Sequence, residues 1–516
     1  MTPKIEGRRG RRGWVITALA FAVVAAIVLF ASGRGWAFRD TPSVPPPPTE
    51  IGLNLIGLLP FNRQQVFTNM IAQSEWFSAR EGQPWAAMPA GQLNRLGWVR
   101  FLAPGQAAPR LLTLPPAPFH PMVVRCRYEG TGTLDTGGVA AIRESGPHSM
   151  TLDLKPTGAE QEGAWIELLR TDPADPVRNI DCRADGAPED QRFSPEFLDY
   201  LRGFRVLRFL DWQQINDNPP AIWAARTLPE SSSQAGPTGI AVENMVDLVN
   251  AVGADPWFLM PYKADDAYIR AFAQLVHARL DPRRTVYVEL SNEVWNDQFD
   301  VARQAQAEGL ALGLGDGDPG RARAIRYARQ HVRVMRIWTE VFADRPGRLV
   351  RVCSSQNANP DLAKVILADG DTAAWTDALA TAPYAWIDLT GYGPHDVDRV
   401  FAAMPGAIDA AFALAAQNRA IAARYGKRYI AYEGGQHLVT TDLTLARAVQ
   451  RDPRMGAVYT RYLQLWRERL GDTMMLFAST APISEYGSWG LREYAGQPLT
   501  ETPKLRAVRA FLKAVP

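Results

Sequence analysis

Two glutamates carry the clearest chemistry in this chain. Glu293 lies in "VYVELSNEVWN" (286–296) and Glu433 in "RYIAYEGGQH" (428–437). Each follows a short, almost continuously apolar run rich in β-branched and aromatic residues, the pattern of a buried strand. Each is flanked by an amide, an indole, a phenol or an imidazole. Two carboxyls facing one another at the ends of two such strands suit cleavage of a glycosidic bond. One protonates the leaving oxygen while the other attacks the anomeric carbon. A single glutamate in such a place is more often a solvated acid or half of an ion pair at the rim. The pairing of the two shifts that balance. Glu289 is the internal control: four residues before Glu293 and on the strand itself, it lies below the rim and reads as a structural salt-bridge partner.

The elements that must hold these residues form an alternating series. Apolar strands are expected at 50–59, 204–212, 255–261, 286–290, 348–356, 385–395, 428–437 and 473–481, most of them separated by helical sequence such as "DDAYIRAFAQLVHARL". Eight strand–helix units predict an α/β fold closed as a (β/α)8 TIM barrel, made of residues 50–60 and 187–516. A doubly wound open sheet is the alternative, but no P-loop is present and no Gly-rich phosphate turn directly follows an expected strand. After the first strand, residues 61–186 alternate apolar and polar positions ("HPMVVRCRYEGTGTLD", "HSMTLDLK", "GAWIELLRTD"). Alternation of that kind is the mark of antiparallel strands with one wet face, and predicts an inserted β-sandwich module.

Barrels place function at the C-terminal ends of their strands. Those ends carry Arg208, Asp211, Trp212, Tyr262, Asn292, Glu293, Trp295, Gln356, Tyr392, His395, Glu433, Gln436, His437, Glu485 and Trp489.

The first residues read as a targeting element. A basic segment (1–13) precedes nineteen uncharged residues, "WVITALAFAVVAAIVLFAS" (14–32). As a helix they would span roughly 28 Å, about one hydrocarbon core. The basic flank predicts a cytoplasmic N-terminus, a single-pass inner-membrane anchor and an exported body, with cleavage near Ser32 or Ala37 as the alternative. Residues 33–49 form a Pro-rich linker, stiff enough to lift the body off the membrane. Cys126 and Cys182 lie together in the insert and could pair in an oxidising compartment or stay as two buried thiols. The six His and three Cys show no metal-ligand spacing, and no cofactor is expected. A net charge of +2 without a basic stripe argues against nucleic acid. The 15 Trp suit stacking on the apolar faces of sugars. Oligomeric state is not legible.

Asn292-Glu293 after strand four, Glu433 after strand seven, Tyr392 and His395 after strand six and Trp489 after strand eight resemble the retaining (β/α)8 glycoside hydrolases, the superfamily of endoglucanases, β-mannanases and xylosidases. The resemblance implies Glu293 as acid/base and Glu433 as nucleophile. It implies that Asn292 binds the sugar 2-hydroxyl, that the aromatic after strand six orients the nucleophile, and that Trp489 floors the sugar subsite. Arg208, in "LRF", resembles the arginine that keeps the nucleophile ionised. Trp212, Tyr262, Trp295, Gln436 and His437 complete the expected substrate-binding set. "RNIDC", "LRFLDW", "GADPWFLMP", "VYVELSNEVWN" and "YEGG" further resemble, over roughly residues 50–510, exported bacterial proteins labelled cellulose-binding or hypothetical. One departure is "MPYKADD", where Tyr262 and Lys263 replace an expected His-containing turn.

The expectation is a membrane-anchored periplasmic retaining glycosidase acting on a β-linked glucan or related exopolysaccharide. A non-catalytic polysaccharide-binding accessory of cellulose or exopolysaccharide export and a transglycosylase are the alternatives.

Overall fold

A computed structural model describes residues 48–58, 63–113, 120–157 and 162–514. The basic segment, the apolar stretch 14–32 and nearly all of the Pro-rich linker lie outside them. Eight parallel strands close into a barrel in chain order: β1 (Glu50–Asn54), β2 (Val206–Arg208), β3 (Asp255–Met260), β4 (Val286–Leu290), β5 (Leu349–Ser354), β6 (Ala378–Thr381), β7 (Arg428–Ala431) and β8 (Thr473–Leu476). β8 pairs back onto β1, with Gly52 opposite Met475. A Cβ at Gly52 would stand 2.2 Å from the Met475 sulfur, so a side chain here would collide with the barrel filling.

The strands are buried on both faces, which is why they read as apolar runs rather than alternating ones. Outward residues such as Phe258, Met260, Val288 and Leu290 pack under the helices. Inward residues, among them Val206, Trp257, Leu259, Tyr287, Val352, Ile430 and Met475, fill the lumen. The same two-residue period turns Arg208 and Glu289 inward, where both are fully buried.

Strand six is not where the apolar run 385–395 placed it. β6 is the Ala-rich "ALAT" at 378–381, paired with β5 and β7. Pro383, without an N–H, follows its end. Beyond it only Ala385–Trp386 pairs, with Gln436–His437, as a two-residue extension past the barrel. The stretch to His395 is broken by Asp388, Gly391, Gly393 and Pro394. Alanine is a poor strand signal, which is why this strand is faint in the sequence.

The helix at Val397–Arg424 is long and apolar enough to cross a membrane, by length and composition. It packs against β6 and β7, with Val400, Met404, Ile408 and Phe412 buried, as an outer helix of the barrel.

Between β1 and β2 the chain builds two antiparallel sheets. One has the order 178–184, 122–129, 149–154, 140–146; the other runs 86–87, 77–80, 106–113, 164–171, 132–138. Inward side chains from both, including Val124, Leu134, Leu152, Ile166 and Ile180, share one buried cluster. A Cys126–Cys182 disulfide joins two adjacent strands of the first sheet. It closes a loop of 56 residues. Removing it with Cys126→Ser/Cys182→Ser should cost about 2–4 kcal/mol in denaturant unfolding, through the entropy returned to the unfolded chain. No loss would mean that the reduced insert is already held by its core.

The residues between β1 and β2 grip the loop that follows β2. Arg110, fully buried between Trp76 and Trp98, donates to the Ser232 carbonyl. Ser232 N–H donates to Leu96 O at 2.7 Å, and Gln234 N–H to Ala72 O at 2.7 Å. The same loop carries Asn216, which reaches the site described next.

Candidate active site

One guanidinium organises the barrel mouth. Arg208, at the end of β2, donates from Nη1 to Glu433 Oε1 at 2.9 Å and to Asn54 Oδ1 at 3.0 Å. From Nη2 it donates to Asn292 Oδ1 at 2.8 Å and to Glu289 Oε2 at 2.9 Å; Nε also reaches Glu289 Oε2, at 3.1 Å. Trp257 Nε1–H donates to the same Glu289 oxygen at 2.9 Å. Glu289 is therefore the buried structural partner expected from its place below the rim.

The second Glu433 oxygen accepts from Tyr384 OH at 2.9 Å. Glu293 is held by different groups: Oε1 accepts from Tyr432 OH at 2.9 Å and Oε2 from Asn296 Nδ2 at 2.8 Å. Ser291 and Glu293 both adopt left-handed backbone, with φ of 54° and 42°. Conformations that non-glycine residues avoid cost of order 1–3 kcal/mol each and concentrate at functional sites. Here they turn the chain so that Asn292 meets Arg208 while Glu293 faces Tyr432.

Burial raises the proton affinity of both carboxyls. Glu433 is pushed up to about 8 by burial; Arg208 pulls it down, and the charge of Glu293 pushes it up. Glu293 is raised by burial against the hydrogen bonds from Asn296 and Tyr432. Arg208 favours the ionised form of Glu433, while burial and the charge of Glu293 oppose it. The single positive charge of Arg208 is shared with Glu289, so Glu289, Glu293 and Glu433 together face one cation. Burial and their mutual repulsion therefore favour a proton held by the Glu293/Glu433 pair.

A folded-state value above the unfolded one, near 4.5, means that unfolding releases a proton between those limits. Stability from this group is full below about pH 4.5 and is lost as pH rises towards 8. Glu433→Gln should accordingly stabilise the fold at pH 7 and lose that effect as pH falls below 4.5. Thermal unfolding across that pH range reads the difference.

Around the two carboxyls stand aromatic groups. His437 contacts the Tyr384 ring at 5.2 Å and the Trp489 ring at 5.4 Å, and burial pushes its imidazole down to about 4, leaving it neutral. Trp489 also meets Phe477 at 5.7 Å. Asn292 Nδ2 donates to Asn216 Oδ1 at 3.0 Å. With Oδ1 turned to Arg208, the second amide hydrogen of Asn292 remains available to a ligand.

Of the expected site residues, Arg208, Asn292, Glu293 and Glu433 meet in one hydrogen-bonded cluster, with His437 and Trp489 beside it. Six do not belong there. Trp212 is 1% exposed, donates to Ile56 O and packs on Phe197 and Phe209. Tyr262 is buried and donates to Glu308 Oε2 at 3.0 Å. Trp295 lines a separate crevice with Tyr327, Ser354 and Leu362. Tyr392 lies under Arg399, and His395 is exposed in a turn, because strand six ends earlier than expected. Gln436 is buried with both amide ends engaged, Nε2 on Ser488 O and Oε1 on Leu438 N–H.

The aromatic that touches the nucleophile candidate is Tyr384, which the mistaken strand end concealed. Asn54, Asn216, Asn296 and Tyr432 were also missed. Tyr432, directly before Glu433, was the most legible of these. Among the described residues no cluster of His, Cys, Asp and Glu could hold a metal ion.

No family model matches the sequence, and no curated protein matches it. Solved structures similar to this chain include an α-L-arabinofuranosidase from Thermotoga maritima, at 12% identity and TM-score 0.38 over 64% of this chain and 66% of that one. A modular endo-β-1,4-mannanase from Cellulomonas fimi is similar at 14% identity and TM-score 0.34, over 59% and 62% of the two chains. A GH39 β-xylosidase from Caulobacter crescentus is similar at 14% identity and TM-score 0.35, over 62% and 68%. The chain thus spans just under two thirds of the first of them. These structural neighbours are glycoside hydrolases, but likenesses so distant carry no argument about the reaction. The barrel stands on its own strand order, and the chemistry on its own side chains.

Proposed function

We propose that this chain is a retaining glycoside hydrolase, with Glu433 as nucleophile and Glu293 as acid/base, acting on a β-linked glucan or related exopolysaccharide. The observation that carries the reading is the separation of partners. Glu433 sits against the guanidinium of Arg208, whose charge favours its ionised form when a substrate enters. Glu293 bonds to no cation and is held by the neutral donors Tyr432 and Asn296, which suits the member of the pair that carries the proton.

In the first step Glu433 attacks the anomeric carbon while Glu293 protonates the departing oxygen. In the second, Glu293 takes a proton from water as the glycosyl ester is hydrolysed. The free amide hydrogen of Asn292 meets the sugar 2-hydroxyl, and Trp489 with His437 forms the apolar floor. The insert is a β-sandwich module that braces the loop carrying Asn216. Residues 14–32 tether the body to the inner membrane, on its periplasmic side.

The test is release of soluble oligosaccharides by residues 48–514 from a panel of β-linked polysaccharides, with products sized and their first-formed anomer read by NMR. Retained configuration supports the reading. Tight binding with no product from any polymer replaces it with a non-catalytic binder, and products longer than the starting chains replace hydrolysis with transglycosylation.

A further inference from the structure

A buried lysine lies behind the sugar floor. Lys504, in the first turn of the C-terminal helix (Pro503–Ala514), is 5% exposed, and its Nζ donates to the Ser488 carbonyl at 2.8 Å. Gln436 Nε2 donates to the same oxygen, also at 2.8 Å. The Ser488 carbonyl thus has two donors, one from the loop after β7 and one from the last helix. Ser488 is followed directly by Trp489.

The neighbouring backbone shows how closely this segment is fitted. Gly487 has φ 148°, and a Cβ there would stand 2.0 Å from the Trp489 ring, so the indole folds back over bare backbone. On the other side Ala478 N–H donates to Trp489 O at 3.2 Å, and Leu491 N–H to Ala478 O at 2.9 Å. These bonds fix the backbone after Trp489 to the end of β8. Before it, Gly487 is bonded within its own turn, to Ser484 N–H at 3.1 Å and Ser484 O at 3.2 Å, and the two donors on Ser488 O tie that turn to β7's loop and the last helix.

Burying an ammonium is expensive, and an apolar side chain would fill the same space at lower cost. Burial pushes Lys504 down to about 7, which expresses that cost. The contact it makes is with the peptide that aims Trp489.

We infer that Lys504 is a positioning residue for the sugar subsite: with Gln436 it clamps the Ser488 carbonyl and so sets the angle of the Trp489 indole. This rests on the reading of Trp489 as the floor of that subsite. Lys504 touches no substrate, and acts only through Trp489.

The experiment has two readouts. The full chain is labelled with 5-fluorotryptophan, and the Trp489 resonance is assigned by its loss in Trp489→Phe. In Lys504→Met that resonance should shift or broaden while the others hold; in Lys504→Arg, which keeps a charged donor, it should stay near its wild-type position. Lys504→Gln serves if the methionine variant does not fold. An unchanged Trp489 resonance overturns the inference. The second readout is a double-mutant cycle on the glycan that the wild type cleaves or binds. Lys504→Met should raise KM, or Kd, by about tenfold in the wild type and by less than about twofold in Trp489→Ala, because coupled residues are non-additive. Equal losses in both backgrounds would make Lys504 a general stabiliser and overturn its positioning role. A wild type that neither cleaves nor binds any glycan fails the proposed function, while the fluorine spectrum still decides the part played by Lys504.

Discussion

Glu433→Ala should abolish turnover of every substrate, whereas Glu293→Ala should retain part of it on aryl glycosides with good leaving groups. The two side chains are alike, and the difference comes from what each must do. Without Glu433 no covalent glycosyl-enzyme forms, however reactive the leaving group. Without Glu293 an activated phenolate departs unprotonated, and the first step survives. The second step then stalls for want of a base, and azide, which needs none, should relieve it and yield the glycosyl azide. General acid–base assistance contributes about 10²–10⁴-fold, so Glu293→Ala should lose about that much on natural polymers and far less on the activated substrate with azide. Steady-state kinetics on the two substrate types checks both. If the two variants behave identically, the roles assigned from their partners are wrong.

The second large effect concerns the cation between them. Arg208→Met should destabilise the fold by about 3–5 kcal/mol at pH 7, because it leaves the fully buried Glu289 without its counter-charge. The loss should shrink as pH falls, since a protonated Glu289 needs no partner. Removing the stranded charge as well, in Arg208→Met/Glu289→Leu, should recover much of the stability. It should not restore activity, because Glu433 would still lack its cation. Denaturant unfolding of the three proteins at pH 5 and pH 7 measures this. A double variant no more stable than Arg208→Met would mean that packing, rather than charge, makes Arg208 necessary.

The sequence was most informative where burial and chemistry coincide. Near-continuous apolar strands could be counted because a barrel buries both faces of each strand, and Glu289, Glu293 and Glu433 stood out as acids in or just beyond such runs. Arg208 was legible for the same reason. What failed was the assumption that an aromatic near a strand end faces the ligand. Trp212, Tyr262 and Trp295 occupy such ends, yet pack outward or sideways, because a turn of one or two residues reverses a side chain and leaves no trace in composition. Strand six was lost to its alanines, and with it Tyr384, while Tyr392 and His395 took its place on paper. Asn54 ends β1, while Asn216 and Asn296 come from the loops after β2 and β4, and they approach the site only in space. The left-handed turns at Ser291 and Glu293, which bring Asn292 and Glu293 to different partners, follow from tertiary packing that no local pattern announces.

Glu433 is expected to bond covalently to the sugar. Mass spectrometry after incubation with 2-deoxy-2-fluoro glycosides, chosen to match the polymer that the wild type cleaves, tests it most directly. Fluorine at C2 slows both steps, and a good leaving group keeps the first faster, so the glycosyl ester accumulates. One sugar per chain is expected, located on the peptide that contains Glu433 and absent from Glu433→Ala. A label on any other residue, or an enzyme that cleaves the polymer yet never becomes labelled, would contradict it.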